Sequence, residues 1–69
     1  MATAKEIGRR IKALREKRNL TRKELAKIVD VEESAISNYE NGIRIPLDVI
    51  KPKIAEALRT DIIDLFFKE

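Results

Sequence analysis

The side chains that could do chemistry in this chain are almost all charged. Its 69 residues include 15 Lys and Arg and 12 Asp and Glu, with no His and no Cys. The usual zinc sites draw on imidazole or thiolate ligands. Nucleophilic catalysis by Cys, or by a Ser–His pair, needs those same residues. Both are excluded by composition, and the acids are scattered without a convergent pattern. The reading is therefore not an enzyme, with no metal and no cofactor. What remains is charge as a recognition surface. Residues 1–29 carry ten basic and three acidic side chains (net +7), whereas residues 30–69 carry five basic and nine acidic (net −4). That asymmetry predicts an anion-facing surface on the first two helices. A solvated helix face is the plainer reading of the same charges.

The elements that must position these charges are helical. The first helix is expected over residues 4–17, where Ile7, Ile11 and Leu14 form the apolar stripe of a half-buried helix. Asn19 suits a left-handed helix end. Thr21 and Glu24 form a capping box, each side chain serving the other's amide, which starts a second helix at Arg22 and carries it to residue 29. Leu25, Ile28 and Val29 are its expected inward face, and Ala26 leaves room for the next helix. Asp30 and Val31 connect, Asp tolerating left-handed geometry better than most residues and Val31 plugging the gap. The third helix is expected over 33–40, with Ile36 and Tyr39 inward and Asn41-Gly42 as its stop. A fourth covers about 48–58 on Ile50, Ile54, Ala57 and Leu58, unless Pro52 delays its start. A fifth covers about 61–67, capped by Asp61. No strand-period run occurs, so the fold class is all-α. The length fits one domain over 1–69, near the lower limit for a core without staples. No apolar run approaches the roughly 20 residues of a membrane span. The opening M-A-T-A-K-E lacks the apolar centre of a signal peptide, so a cytoplasmic location is expected.

Two short helices joined by a tight connector over Thr21–Gly42 make the layout of a helix-turn-helix, which presents its second helix to the DNA major groove. At the level of whole motifs the chain resembles the Cro/cI-type helix-turn-helix family of regulators, also called the XRE family. The matching pieces are I-G-R-R-I-K-A-L-R-E-K-R-N-L-T, then L-A at residue 25, S-A-I-S-N-Y-E-N-G, Pro46, I-A-E-A-L and D-L-F. They run from Ile7 to Phe66 without a gap. The resemblance implies a compact five-helix, lambda-repressor-like domain.

It also implies roles. Glu33, Ser34, Ser37 and Asn38 fall at base-reading positions, and Asn can pair bidentately with adenine. Arg22 falls at the family's phosphate-contacting position, where Gln is usual, with Lys23 beside it. Asn41 and Arg44 fall at backbone contacts after the reading helix. Arg15 and Glu40 match a structural ion pair between the first and third helices. Two positions depart from the pattern. Asp30 stands where Gly is usual, and Glu32 stands where a Ser or Thr cap commonly meets a phosphate. Glu33 can accept from cytosine N4, or, with Glu32, simply complement the helix dipole.

The leading functional reading is a sequence-specific regulator of transcription, with repressor and activator both open. It would be nucleoid-associated and bind double-stranded DNA as a homodimer on a palindromic operator. The last helix, through Ile62, Phe66 and Phe67, is the expected dimer surface, because it has more apolar residues than so short a helix buries. Arg9, Arg10, Lys12, Arg22 and Lys23 on one side, and Arg44, Lys51 and Lys53 on the other, are the expected flanking charges. The alternative is a protein-interaction module (coactivator, antirepressor or antitoxin) on the same fold, because residues 28–43 contain no Lys or Arg. Neither a membrane nor a small-molecule ligand is indicated as a partner.

Overall fold

The computed structural model describes all residues from Met1 to Glu69. Four α-helices run in chain order, α1 (Ala4–Lys17), α2 (Arg22–Val29), α3 (Glu33–Glu40) and α4 (Lys51–Ala57), followed by a single π-helical turn, α5 (Ile63–Phe67). There is no strand. No helix is long and apolar enough to cross a membrane. α3 packs on both α1 and α2, while α4 lies on α2 and α5 returns to α1.

Local sequence sets the helix ends. α1 and α2 open with the same device. The Thr3 and Thr21 hydroxyls accept from the Glu6 and Glu24 amides (3.1 and 3.0 Å), and the two glutamates accept from the threonine amides in return (2.9 and 2.8 Å). The first of these boxes has the same T-x-x-E spacing as the second, a signal that the sequence carries and that Thr3 and Glu6 add to the expected Thr21 and Glu24. α1 closes on Asn19 at φ +57°, with the Leu20 amide donating to the Arg15 carbonyl and the Asn19 amide to that of Glu16. α3 closes the same way on Gly42, at φ +72°. This paired bonding satisfies carbonyls that the helix itself leaves open. Asp30 adopts φ +64° at the end of α2, and the Val31 amide bonds back to Ala26.

The core gathers Ile7, Ile11, Leu25, Ala26, Val29, Ile36, Tyr39, Ile54, Leu58, Leu65 and Phe66, with Leu14 and Val31 packed on its edge. Gly8 brings α1 against the end of α3. A Cβ built there would lie 2.5 Å from the Glu40 carbonyl oxygen and nearer still to that of Tyr39. No other residue fits at that approach.

Several expectations need correction. Ile28 is 58% exposed and not on the inward face of α2. Leu25, Ala26 and Val29 define that face, and at 100° per residue Ile28 falls well to one side of it. Residues 48–50 form a turn and α4 begins at Lys51. Pro52 has no amide to donate to the Asp48 carbonyl, so a helix from Asp48 would lack a rung. The last element is a widened turn over Ile63–Phe67 in which the Lys68 amide bonds to the Ile63 carbonyl, five residues back. The Asp61 carboxylate accepts from the Ile63 amide at 2.7 Å, the capping role expected of it.

Candidate nucleic-acid interface

The surface in question is built on α3, with the start of α2 on one side and the segment after Gly42 on the other. Glu33 and Ser34, in the first turn of α3, are exposed, while Ser37 and Asn38 one turn later are half-buried. Glu32 is exposed and makes no cap hydrogen bond. Only the main chain therefore closes the start of α3, through the Ala35 and Ile36 amides on the Glu32 carbonyl (3.0 and 3.4 Å). Its far end is much better held. The Asn38 carbonyl accepts from both Ile43 and Arg44 amides, at 3.0 and 3.3 Å.

Beneath this surface lies a charged cluster. The Arg15 guanidinium meets the Glu40 carboxylate in two places, Nε to Oε2 at 2.6 Å and Nη2 to Oε1 at 3.1 Å. Its third donor, Nη1, reaches the Leu20 carbonyl at 2.8 Å, in the connection between α1 and α2. The hydrogen bond to Glu40 raises the Arg15 pKa further, so the guanidinium is charged at any working pH. Arg22, the first residue of α2, adds a third contact, Nε to Oε1 at 3.1 Å. α1, α2 and α3 thus converge on a single carboxylate, and no buried side-chain polar atom is left without a partner.

The remaining candidate contact residues divide into those facing solvent and those committed to the fold. Arg9, Lys12, Lys23, Asn41, Arg44 and Lys53 are exposed. Arg10 is not free, because its Nη1 donates to the Asp64 and Leu65 carbonyls (3.4 and 3.3 Å) and so binds α1 to α5. Lys51 is buried, with Nζ 3.0 Å from the Asp48 carboxylate and within 6 Å of the Phe66 and Phe67 rings, at 5.9 and 5.3 Å. Both had been expected among the flanking charges, and sequence carries no signal that tells an inward from an outward basic residue.

The expected dimer surface also needs revision. Phe66 is fully buried within its own chain and cannot meet a partner without unfolding α5. Ile62 is half-buried against the core. Phe67 and Ile63 are 44% and 60% exposed, and Ile43, Leu47 and Val49 in the segment before α4 are exposed as well. No group of three or more acidic side chains converges as a metal site would require.

A buried three-helix ion cluster under an exposed α3, reached through a tight α2–α3 connection, defines a helix-turn-helix domain. The helix-turn-helix family profile HTH_3 matches residues 11–65, and the chain belongs to this family, the Cro/cI or XRE type. The family is one of transcriptional regulators, not enzymes. The chain is 40% identical over 63 residues to the HTH-type transcriptional repressor RghR of Bacillus subtilis (strain 168), covering 90% of its own length and 47% of that protein. It therefore spans about half the length of this curated relative. Among solved structures it resembles the restriction-modification controller protein C.AhdI from Aeromonas hydrophila, with a TM-score of 0.85 and 28% identity over 91% of this chain and 96% of that one. It also superposes on the clp gene regulator ClgR from Corynebacterium glutamicum, with a TM-score of 0.86 at 20% identity over 94% of this chain and 69% of that one, a likeness of fold alone.

Proposed function

We propose that the chain binds double-stranded DNA as a homodimer, each copy laying α3 in the major groove of one half of a palindromic operator. The observation that carries this reading is the exposed first turn of α3 on a closely packed α2–α3 unit, flanked by solvent-facing basic residues. Glu33, Ser34, Ser37 and Asn38 face the base edges, and Arg22, Lys23, Asn41 and Arg44 take the phosphates. Phosphate contacts position and base contacts specify, so few charges are needed on the reading face itself. RghR is a transcriptional repressor and C.AhdI a controller protein, which supports repression or control of transcription as the outcome of binding.

Size supports the dimer. One chain extends 27 Å along its longest axis, less than the roughly 34 Å between half-sites one DNA turn apart. A second copy supplies the second reading helix. Ile63 and Phe67, with Leu47 and Val49, are the exposed apolar residues for its contact.

Selection of bound sequences from random duplex, followed by titration at several salt concentrations, tests this reading. A palindromic pair of half-sites and affinity falling steeply with salt are expected. Arg22→Ala weakens binding to every sequence, whereas Asn38→Ala loses preference at one position. Affinity that is negligible at low salt would instead favour the interaction module, for which the exposed Glu32 and Glu33 on a face without Lys or Arg are the supporting observation.

A further inference from the structure

Arg22 is tied down at one atom and open at two. Its Nε donates to Glu40 Oε1 at 3.1 Å, its only side-chain hydrogen bond, while the side chain as a whole remains 42% exposed. The acceptor is unusually fixed for a surface arginine's partner. The Glu40 side chain is 1% exposed and is gripped on both oxygens by Arg15, which is itself anchored to the Leu20 carbonyl. We propose that Glu40 is a positioning residue for phosphate recognition, holding Arg22 by Nε so that its two terminal nitrogens form a preset fork for one DNA phosphate. This rests on the DNA-binding reading above and adds to it a role for a residue that DNA does not touch.

The chemistry follows from the shape of guanidinium. Its five N–H donors lie in one plane, one on Nε and four on the terminal nitrogens, and a phosphate is met bidentately. When Nε is engaged, the opposite edge remains complete. A free arginine loses rotamer freedom on capturing a phosphate, whereas one already held loses less. The start of α2 reinforces the anion site. The Thr21 and Glu24 amides are used within the capping box, but those of Arg22 and Lys23 have no acceptor. They point out of the helix N-terminus, where its dipole is positive. The Glu24 carboxylate, which would oppose an anion, is engaged by the Thr21 amide. Lysine at position 22 could not do the same work, since one ammonium cannot both sit on Glu40 and present a planar pair of donors.

The test uses the full chain and a mixed-sequence duplex at low salt, because a phosphate contact is independent of sequence. Arg22→Lys keeps the charge and leaves the Arg15–Glu40 pair intact. It is expected to lose about tenfold or more in affinity, close to the loss of Arg22→Ala, as for a charge-assisted bidentate contact. Wild-type affinity in Arg22→Lys overturns the proposal while leaving Arg22 as a simple phosphate charge. Wild-type affinity in Arg22→Ala overturns the phosphate reading itself. Glu40→Gln supplies the second arm, with affinity referred to folded protein. It should weaken binding when Arg22 is present and have no further effect in the Arg22→Ala background. Equal losses in both backgrounds would mean that Glu40 acts through the fold alone. If Glu40→Gln does not fold, the Arg22 Nε–H resonance of the wild-type protein decides instead. Slow exchange with water, retained when DNA is added, is expected, and exchange as fast as that of a free guanidinium overturns the proposal.

Discussion

Gly8→Ala is the perturbation for which local and tertiary reasoning give opposite signs. Position 8 lies in the interior of α1, where replacing Gly by Ala in an open helix stabilises by about 1 kcal/mol. Here the added methyl would stand 2.5 Å from the Glu40 carbonyl oxygen and 2.9 Å from its carbonyl carbon, with the Tyr39 carbonyl oxygen nearer than either. All three atoms are backbone, so no side chain can swing away. α1 and the end of α3 must separate instead. Overpacking of this kind costs about 1–3 kcal/mol where a core can adjust, and more where it cannot.

Two further losses add to that. The separation occurs at the backbone of Glu40 itself, whose side-chain bonds to Arg15 are 2.6 and 3.1 Å long, and it opens the buried face of Tyr39. After the helix gain is subtracted, a net loss of about 2 kcal/mol or more is expected. At roughly 4–8 °C per kcal/mol for a domain of this size, the midpoint should fall by about 10 °C. Thermal and urea melting followed by circular dichroism measure it. A midpoint raised by several degrees would show that α1 and α3 are not in contact at Gly8, and with it the geometry of the ion cluster would fail.

Three other outcomes are expected. Arg15→Met leaves the buried Glu40 charge with only the half-exposed Arg22 and should cost about 3–5 kcal/mol, whereas Arg15→Met with Glu40→Leu should recover most of that; equal stability of the single variant and the wild type in urea would contradict it. The Glu6 and Glu24 carboxyls titrate below the ordinary glutamate range, held there by bonds from the Thr3 and Thr21 amides. Their contribution is complete above the ordinary unfolded value, about 4.3, and is lost as pH falls through the lowered folded values. A Glu6→Gln, Glu24→Gln variant should therefore show a shallower acid-side fall in its urea midpoint, and an unchanged slope would remove the capping boxes as the cause. Arg59 ends α4 at φ +53°, a conformation unfavourable to residues with a Cβ, so Arg59→Gly should stabilise by up to about 1 kcal/mol, read as a higher melting midpoint.

Legibility in the sequence followed the range of the interaction. The Thr21–Glu24 box, the left-handed ends at Asn19 and Gly42 and the seat of Val31 depend on residues a few positions apart, and the residue types announce them. Gly8 carried a signal that was readable in principle, since a glycine inside an amphipathic helix needs a reason. The partners of Arg10 and Lys51 carried none. Arg10 is satisfied by carbonyls more than fifty residues away, and Lys51, though paired with Asp48 three residues before it, is drawn inward over two rings from α5. Phe66 was misassigned because Ile62, Ile63, Leu65, Phe66 and Phe67 are all apolar, so residue type on so short a segment does not tell which of them the core takes.

The two ends of α3 are held so unequally that their tolerance to change should differ. At the C-terminal end, Gly8 fixes the approach of α1, Gly42 closes the last turn, and Glu40 receives two arginines. At the N-terminal end, Glu32 caps nothing, and Glu33 and Ser34 project into solvent. Substitutions at 32–34 touch no buried partner, so their effect on stability should stay within the few tenths of a kcal/mol usual for surface positions. Their effect on recognition has no such bound, because these side chains lead the helix into the groove in the proposed complex. Glu32 can therefore differ from the family's usual Ser or Thr at this point without loss of fold. What it costs at the phosphate is set against the basic residues that face solvent on either side, Arg22 and Lys23 before it and Arg44 after it.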